Sequence, residues 1–194
     1  MAAVNPISLA LDEQHACDRM DVRSELFNNR VLMLDGPINL EMGSQLIANL
    51  LVLENKNPEA PITLLISGPG GDVYSGLGLI DVMHDISCPI YTVGYGLVAS
   101  MSSVILACGD SRSVYPNTHV LLHQLMAGAG ISQQSDIDII AGHVSMLRER
   151  LDSLLAGRIA LSKDEIHRLT DRDCWCNAQD AVRLGIVDRI IGFD

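Results

Sequence analysis

Short apolar runs that end at turn residues, each followed by a stretch with helical spacing, constrain this chain more than any other feature. Arg30–Asp35 closes on Gly36-Pro37, Ile62–Ile66 on Ser67-Gly68-Pro69-Gly70-Gly71, and Pro89–Tyr95 on Gly96. Between the first two runs, Met42, Leu46, Ile47, Leu50 and Leu53 fall on one helical face, behind the cap residue Asn39 and ahead of Asn57-Pro58. A second helix is expected from Val73 to Ile86 and a short apolar one from Ala99 to Cys108. Apolar runs of this kind suit strands buried on both faces, and parallel strands need crossover connections, usually helical. The alternation therefore predicts an α/β chain, a mainly parallel sheet covered by helices. Further strands are expected at Ser113–Tyr115, His119–His123 and Ile186–Ile191, and further helices near Lys163–Leu169 and Ala178–Leu184.

Composition narrows the function classes. The 194 residues suffice for one sizeable core and need no staple to hold it. Asp and Glu number 24 against 13 Lys and Arg, a formal charge of −11, and between Arg30 and Arg112 the only Lys or Arg is Lys56. Such a surface lacks the cations that neutralise nucleic-acid phosphates or anionic lipid headgroups. No apolar stretch approaches membrane-span length, and MAAVNPISLALDEQ has no basic region ahead of an apolar core, so no secretory leader is expected. Five cysteines, an odd number with several in apolar runs, fit structural thiols in a reducing cytoplasm. Cys174-Trp175-Cys176 has no matching second pair, and no metal is expected there.

Two segments bear on organisation. Residues 1–25 lack clear periodicity and read as an N-terminal arm, partly flexible and facing a partner; residues 26–194 read as one domain. Ile137, Ile140, Val144, Leu147, Leu151 and Leu154 make a heptad-like seam along a long helix, about Gln133 to Ala156. Two readings fit that seam: an amphipathic helix lying on its own sheet, or a helix held out for contact between subunits.

Ligands of open α/β sheets gather where strand ends lead into helices, and three such places stand out. The loop Gly68-Pro69-Gly70-Gly71 is either a tight turn or a cradle of backbone amides for an anion or oxyanion; neither GxGxxG nor GxxxxGK[ST] is present. Ser100 stands at the start of the apolar helix, either as an ordinary N-cap or as a nucleophile near the positive end of the helix dipole. It is not in the GxSxG elbow of α/β-hydrolases. His123 closes its strand before the Gly-rich stretch Ala127–Gly130 and is a reasonable general base. His119 shares its strand face, and periodicity does not choose between them.

At these residues the chain resembles the ClpP family, the proteolytic subunits of ATP-dependent Clp proteases. Ser67–Val73 is similar to the family's N-S-P-G-G-x-V loop, Ala99-Ser100-Met101 to its A-S-M nucleophile motif and Leu122-His123-Gln124 to its I-H-Q motif. Thr170-Asp171-Arg172-Asp173 resembles T-x-R-D. Ser135–Ile139 and Arg148–Leu151 match the opening and close of its handle helix, and Leu184–Asp188 its ending. The resemblance runs from about Leu26 to Ile190.

That resemblance implies a ClpP/crotonase-like fold of repeated ββα units with a protruding handle helix, here about residues 132–157. It implies Ser100 as nucleophile, His123 as general base and Asp173 as the acid that orients it, with the backbone amides of Gly71 and Met101 as the oxyanion hole. It further implies a cytoplasmic serine endopeptidase built as a tetradecamer, two stacked heptameric rings of this chain or of this chain with a paralogue. A hexameric AAA+ Clp ATPase would feed it unfolded polypeptides. The subunit itself is expected to need no cofactor and no metal, ATP being used by the partner unfoldase. Thr63 and Leu65 stand where family members often place tyrosines of the ATPase docking pocket. Two rival readings are a crotonase-like acyl-CoA enzyme, which would have no use for Ser100 with His123, and a ring subunit with a mainly structural role.

Overall fold

The computed structural model describes residues 22–126 and 133–192. Most of the expected arm, residues 1–21 of 1–25, and the whole Gly-rich stretch expected at Ala127–Gly130 lie outside these residues. The chain opens with α1 (Val22–Asn28), which packs on β1 (Val31–Asp35). The boundary expected after residue 25 therefore falls inside a helix. It continues through α2 (Leu40–Lys56), β2 (Ile62–Gly68), α3 (Val73–Asp85), β3 (Ile90–Ala99), α4 (Met101–Ala107) and β4 (Ser111–Val114). Then come β5 (His119–Leu122), α5 (Gln134–Ala156), α6 (Lys163–Leu169), β6 (Cys174–Cys176), α7 (Ala178–Arg183) and β7 (Arg189–Ile190).

The expected α/β architecture is present. The strands form one sheet in the order β1-β2-β3-β4-β7, all parallel, while β5 pairs with β3 in parallel and β6 with β5 antiparallel. In β2, Ile62, Leu64 and Ile66 are fully buried and alternate with half-buried Thr63, Leu65 and Ser67. Leu46, Leu50 and Leu53 of α2 and Leu79, Ile80 and Met83 of α3 complete one hydrophobic core with the strands. Asn39 caps α2 by accepting from the Met42 N–H at 2.8 Å, and Asp72 caps α3 by accepting from the Ser75 N–H at 2.8 Å. That bond and the Ser75 hydroxyl hold the Asp72 carboxyl below its ordinary range, outweighing the effect of burial.

β3 decides where the site lies. It is longer than expected, running past Tyr95 to Ala99, and Gly96 bends it at φ +60°. Tyr91–Gly94 pair with β4, whereas Leu97–Ala99 pair with β5. One strand thus serves two neighbours in succession, and β5 ends beside the start of α4. The closing strand is shorter than expected, since only Arg189 and Ile190 pair with β4; Ile186–Asp188 form bends.

Helix α5 answers the question left open by its seam. Residues 133–143 are all exposed, including Ile137, Ile139 and Ile140, whereas Leu155 and Asp152 near its end are buried. Leu151 and Leu154 pack on the core. The first half of the helix protrudes, so the reading of a helix lying on its own sheet holds only for its last turns.

Candidate active site

Ser100 joins β3 to α4 with φ +55° and ψ −127°, a conformation non-glycine residues rarely adopt. It occupies the N-cap position, yet its side chain makes no capping hydrogen bond. The ordinary-cap reading therefore fails, and among the described residues the hydroxyl has no hydrogen-bond partner. The strained backbone is held from both sides. Its N–H donates to the Leu121 carbonyl of β5 at 2.9 Å, and its carbonyl accepts from the Ser103 N–H at 2.9 Å and the Ser103 hydroxyl at 2.6 Å. The same Ser103 hydroxyl lies 3.0 Å from the Leu121 carbonyl. Surroundings that over-determine a strained residue are what allow such strain to persist.

The glycine loop lies against this serine. At Gly70, φ +87°, an added Cβ would sit 2.6 Å from the Ser100 Cβ and 2.8 Å from the Met101 nitrogen. At Gly71, φ +147°, it would meet the Ile38 carbonyl at 2.2 Å. Only glycine lets the loop approach this closely. The loop is anchored by an isolated parallel bridge, in which the Ile38 N–H donates to Gly70 and the Asp72 N–H to Ile38. The Gly71 N–H takes no part in that pair. Met101 is the first residue of α4, where backbone N–H groups have no partner within the helix, and its side chain is buried against Gly76 of α3.

Because β5 pairs with the far half of β3, His123 arrives beside Ser100. A cleft of about 310 Å³ is lined by Gly70, Gly71, Ser100, Met101, His123 and Gln124, among others. His119 does not line it; it stands exposed at the opposite end of the strand. A second concavity shares His123 and Gln124 and is otherwise walled by Met126 and Thr170–Asp173. His123 thus stands between Ser100 on one side and exposed Asp173 on the other. The structure gathers Ser100, His123, Gly71 and Met101 around one opening. Among the described residues no hydrogen bond joins Ser100 to His123 or His123 to Asp173.

Three residues supporting this arrangement escaped sequence reasoning as a unit. Arg148 of α5 donates to the Gln124 side chain at 3.0 Å and to the His167 carbonyl at 3.2 Å, and approaches the Asp171 carboxylate at 3.9 Å. Gln124 in turn donates to the Asp171 carbonyl at 2.9 Å. An arginine directly beside an apolar seam was the one signal in the sequence, since a half-buried guanidinium requires partners.

Among the described residues, Glu149, Asp152 and His167 are the group whose ligand atoms come close enough to hold a metal. They do not line the cleft, and they are already paired: His167 Nδ1 with Asp152 at 2.7 Å, and Glu149 with Lys163. The Cys174 and Cys176 sulfurs are 3.8 Å apart. Burial and the neighbouring Cys174 push the Cys176 thiol up to about 12. No helix among the described residues is long and apolar enough to cross a membrane.

Fold and cleft together define an α/β protein of the ClpP/crotonase-like class. The chain belongs to the Clp protease family, whose model matches residues 13–193. It is 38% identical over 173 residues to the ATP-dependent Clp protease proteolytic subunit 1 of Salinibacter ruber, covering 88% of this chain and 74% of that protein. It is 36% identical over 174 residues to the ATP-dependent Clp protease proteolytic subunit of Streptococcus sanguinis, covering 88% and 89%. The proteolytic subunit 2 of Treponema denticola is 35% identical over 169 residues, covering 86% and 84%. These relatives favour neither the acyl-CoA reading nor that of a structural ring subunit.

Proposed function

We propose that this chain is a serine endopeptidase, the proteolytic subunit of an ATP-dependent Clp protease. One observation carries the assignment: Ser100 is held at positive φ with its hydroxyl free of any cap bond, in the same cleft as His123 and the glycine loop. A serine hydroxyl is a poor nucleophile until a base removes its proton, and His123 is the imidazole in reach of that cleft. Asp173 orients His123 and stabilises its charged form. Ser100 Oγ attacks the scissile carbonyl while His123 takes the proton. The tetrahedral oxyanion is received by the Gly71 and Met101 amides. His123 returns the proton to the leaving amine, and water, activated by the same imidazole, hydrolyses the acyl-enzyme.

The protruding half of α5 supports a role as the handle that joins two heptameric rings. Active sites would then face an enclosed chamber in the cytoplasm, fed with unfolded polypeptide by a hexameric AAA+ ATPase or shared with a paralogous subunit. The lack of hydrogen bonds among Ser100, His123 and Asp173 in the single chain suits a site that closes on assembly, as hydrogen bonds in unliganded sites often tighten only later.

The test is fluorophosphonate labelling of the purified oligomer, mapped by peptide mass, beside turnover of a fluorogenic peptide. Labelling at Ser100 with turnover is expected. A folded double ring that does neither overturns the assignment.

A further inference from the structure

Strand β6 consists of Cys174, Trp175 and Cys176 and leads directly out of the segment that carries Asp173. Its partner β5 leads directly into His123. The register sets Leu122 opposite Cys174 and Val120 opposite Cys176. Alternation along a strand places the two cysteines on one face, and their sulfurs are 3.8 Å apart without a bond. Cys174 is half-buried whereas Cys176 is fully buried. Cys88 and Cys108, the other described cysteines, are buried with no cysteine partner among the described residues.

We propose that Cys174 and Cys176 are a redox pair whose disulfide displaces Asp173 and His123 from one another and switches the site off in the presence of peroxide. The switch rests on the reading of Asp173 as the acid that orients His123. The chemistry balances with hydrogen peroxide as oxidant. The Cys174 sulfur, the more accessible of the two, attacks one peroxide oxygen and becomes a sulfenic acid as water leaves. The Cys176 sulfur then attacks the Cys174 sulfur; the S–S bond forms, and the hydroxyl departs as a second water with the Cys176 proton. Two thiols are oxidised and one peroxide is reduced.

Strand geometry supplies the mechanical consequence. Residues two apart on an extended strand have Cα atoms about 6.4–6.8 Å apart, at the long end of the roughly 4.4–6.8 Å usual for disulfides. The sulfurs, 3.8 Å apart, must close to about 2.05 Å, which pulls on a three-residue strand, and the pair Leu122↔Cys174 lies at the end of the ladder next to both His123 and Asp173. A bond at the long end of that range and half-exposed at Cys174 is of the readily reduced kind, so a dithiol reverses it.

The experiment treats reduced, purified oligomer with hydrogen peroxide and removes the excess with catalase. Peptide mapping follows the tryptic segment Asp173–Arg183, which contains these two cysteines and no other. It should lose two hydrogens and resist alkylation. Fluorogenic peptide turnover should fall on the order of 10²-fold, the scale expected for a catalytic group misplaced by about 1 Å. Dithiothreitol should restore it. Cys174→Ser should keep its turnover through the same treatment, and Cys176→Ala serves as a second variant if the first is poorly folded.

Thiols that stay unlinked in the folded protein overturn the proposal. So does a bond that forms with turnover unchanged, or a Cys174→Ser variant that loses turnover as wild type does. Reduced protein with no turnover from the outset sinks the protease reading and the switch with it. That result is distinguished from failure of the thiol pair by the mass shift and by quenching of Trp175, the chain's single tryptophan.

Discussion

Gln124 Nε2 donates to the Asp171 carbonyl across 2.9 Å, tying the residue that follows His123 to the segment that ends in Asp173. Arg148 grips both partners from α5, through the Gln124 side-chain oxygen and the Asp171 carboxylate. The segments that carry His123 and Asp173 and the root of the protruding helix are thereby one connected unit, held by polar bonds across elements distant in sequence.

Removing the grip should therefore damage turnover more than binding. Arg148→Met keeps the apolar stem but loses the guanidinium. Its loss of charge-assisted hydrogen bonds should cost about 1–3 kcal/mol of stability. Turnover should fall roughly 10–100-fold in kcat at little change in KM, as a positioning role requires. Arg148→Lys should recover only part, since an ammonium cannot reproduce the planar fork. Steady-state kinetics and thermal melts of the three proteins check this; equal kcat in all of them refutes the positioning role.

The proposed role of Asp173 admits a sharper test. Asp173→Asn preserves shape but removes the charge that stabilises the imidazolium and sets its tautomer. In a worked serine-protease example this change costs roughly 10⁴ in kcat, and a comparably severe loss is expected here. Near-normal turnover would make Asp173 structural and direct attention to Asp171.

The neighbouring serines separate structure from chemistry. Ser102 Oγ is buried without a hydrogen-bond partner among the described residues, so Ser102→Ala removes an unsatisfied group and should stabilise the fold by about 1 kcal/mol. Fluorophosphonate labelling at Ser100 should survive. Ser103→Ala instead releases the clamp on the Ser100 and Leu121 carbonyls and should reduce both stability and labelling. Loss of labelling in Ser102→Ala alone would show that the nucleophile has been misplaced.

Val144 and Leu147 lie half-buried on α5, between its exposed beginning and its packed end. Complete burial of such a side chain against another copy is worth about 1.5–3 kcal/mol, and a carboxylate there adds a desolvation cost. Val144→Glu should dissociate double rings into single rings and lower labelling at Ser100 together. Light scattering beside fluorophosphonate labelling reads both. Intact double rings carrying the charge would assign the seam to the chain's own packing.

Acid sensitivity should appear at Asp188. Burial acts to raise its carboxyl, but hydrogen bonds from the Arg112 side chain and N–H, with the charges of Arg112 and Arg189, outweigh it and hold the group below its ordinary value. A lowered folded pKa means stabilisation that is complete above the unfolded value, about 3.9, and lost as pH falls through the folded one. Asp188→Asn should lower Tm at neutral pH, and the gap to wild type should close in strong acid. A gap unchanged down to the lowest pH at which both fold would exclude an ionised Asp188 as its cause.

Much of the cleft's lining was legible in the sequence. Ser100, His123 and the glycine loop stood at strand ends, because that is where a parallel sheet delivers its chain to helices, whereas Asp173 was named only by the resemblance of Thr170–Asp173 to a family motif. Helices α2, α5 and α6 fell close to their expected limits, since caps and apolar spacing are local signals. The three-residue β6 and the truncated β7 did not, because strands so short have no period to read.

Local periodicity, turn residues and charge balance determined by themselves that this is an acidic α/β chain with a serine, a histidine and a glycine loop at strand ends. The choice among readings belonged to the tertiary structure. His123 rather than His119 faces Ser100 because β3 bends at Gly96 and gives its second half to β5. Ser100 is strained rather than capping because the Leu121 carbonyl of β5 holds its N–H from another strand, while Ser103 of its own helix holds its carbonyl. Strand pairing and the clamping of one backbone by another depend on residues far apart in sequence, and no periodicity within either segment encodes them.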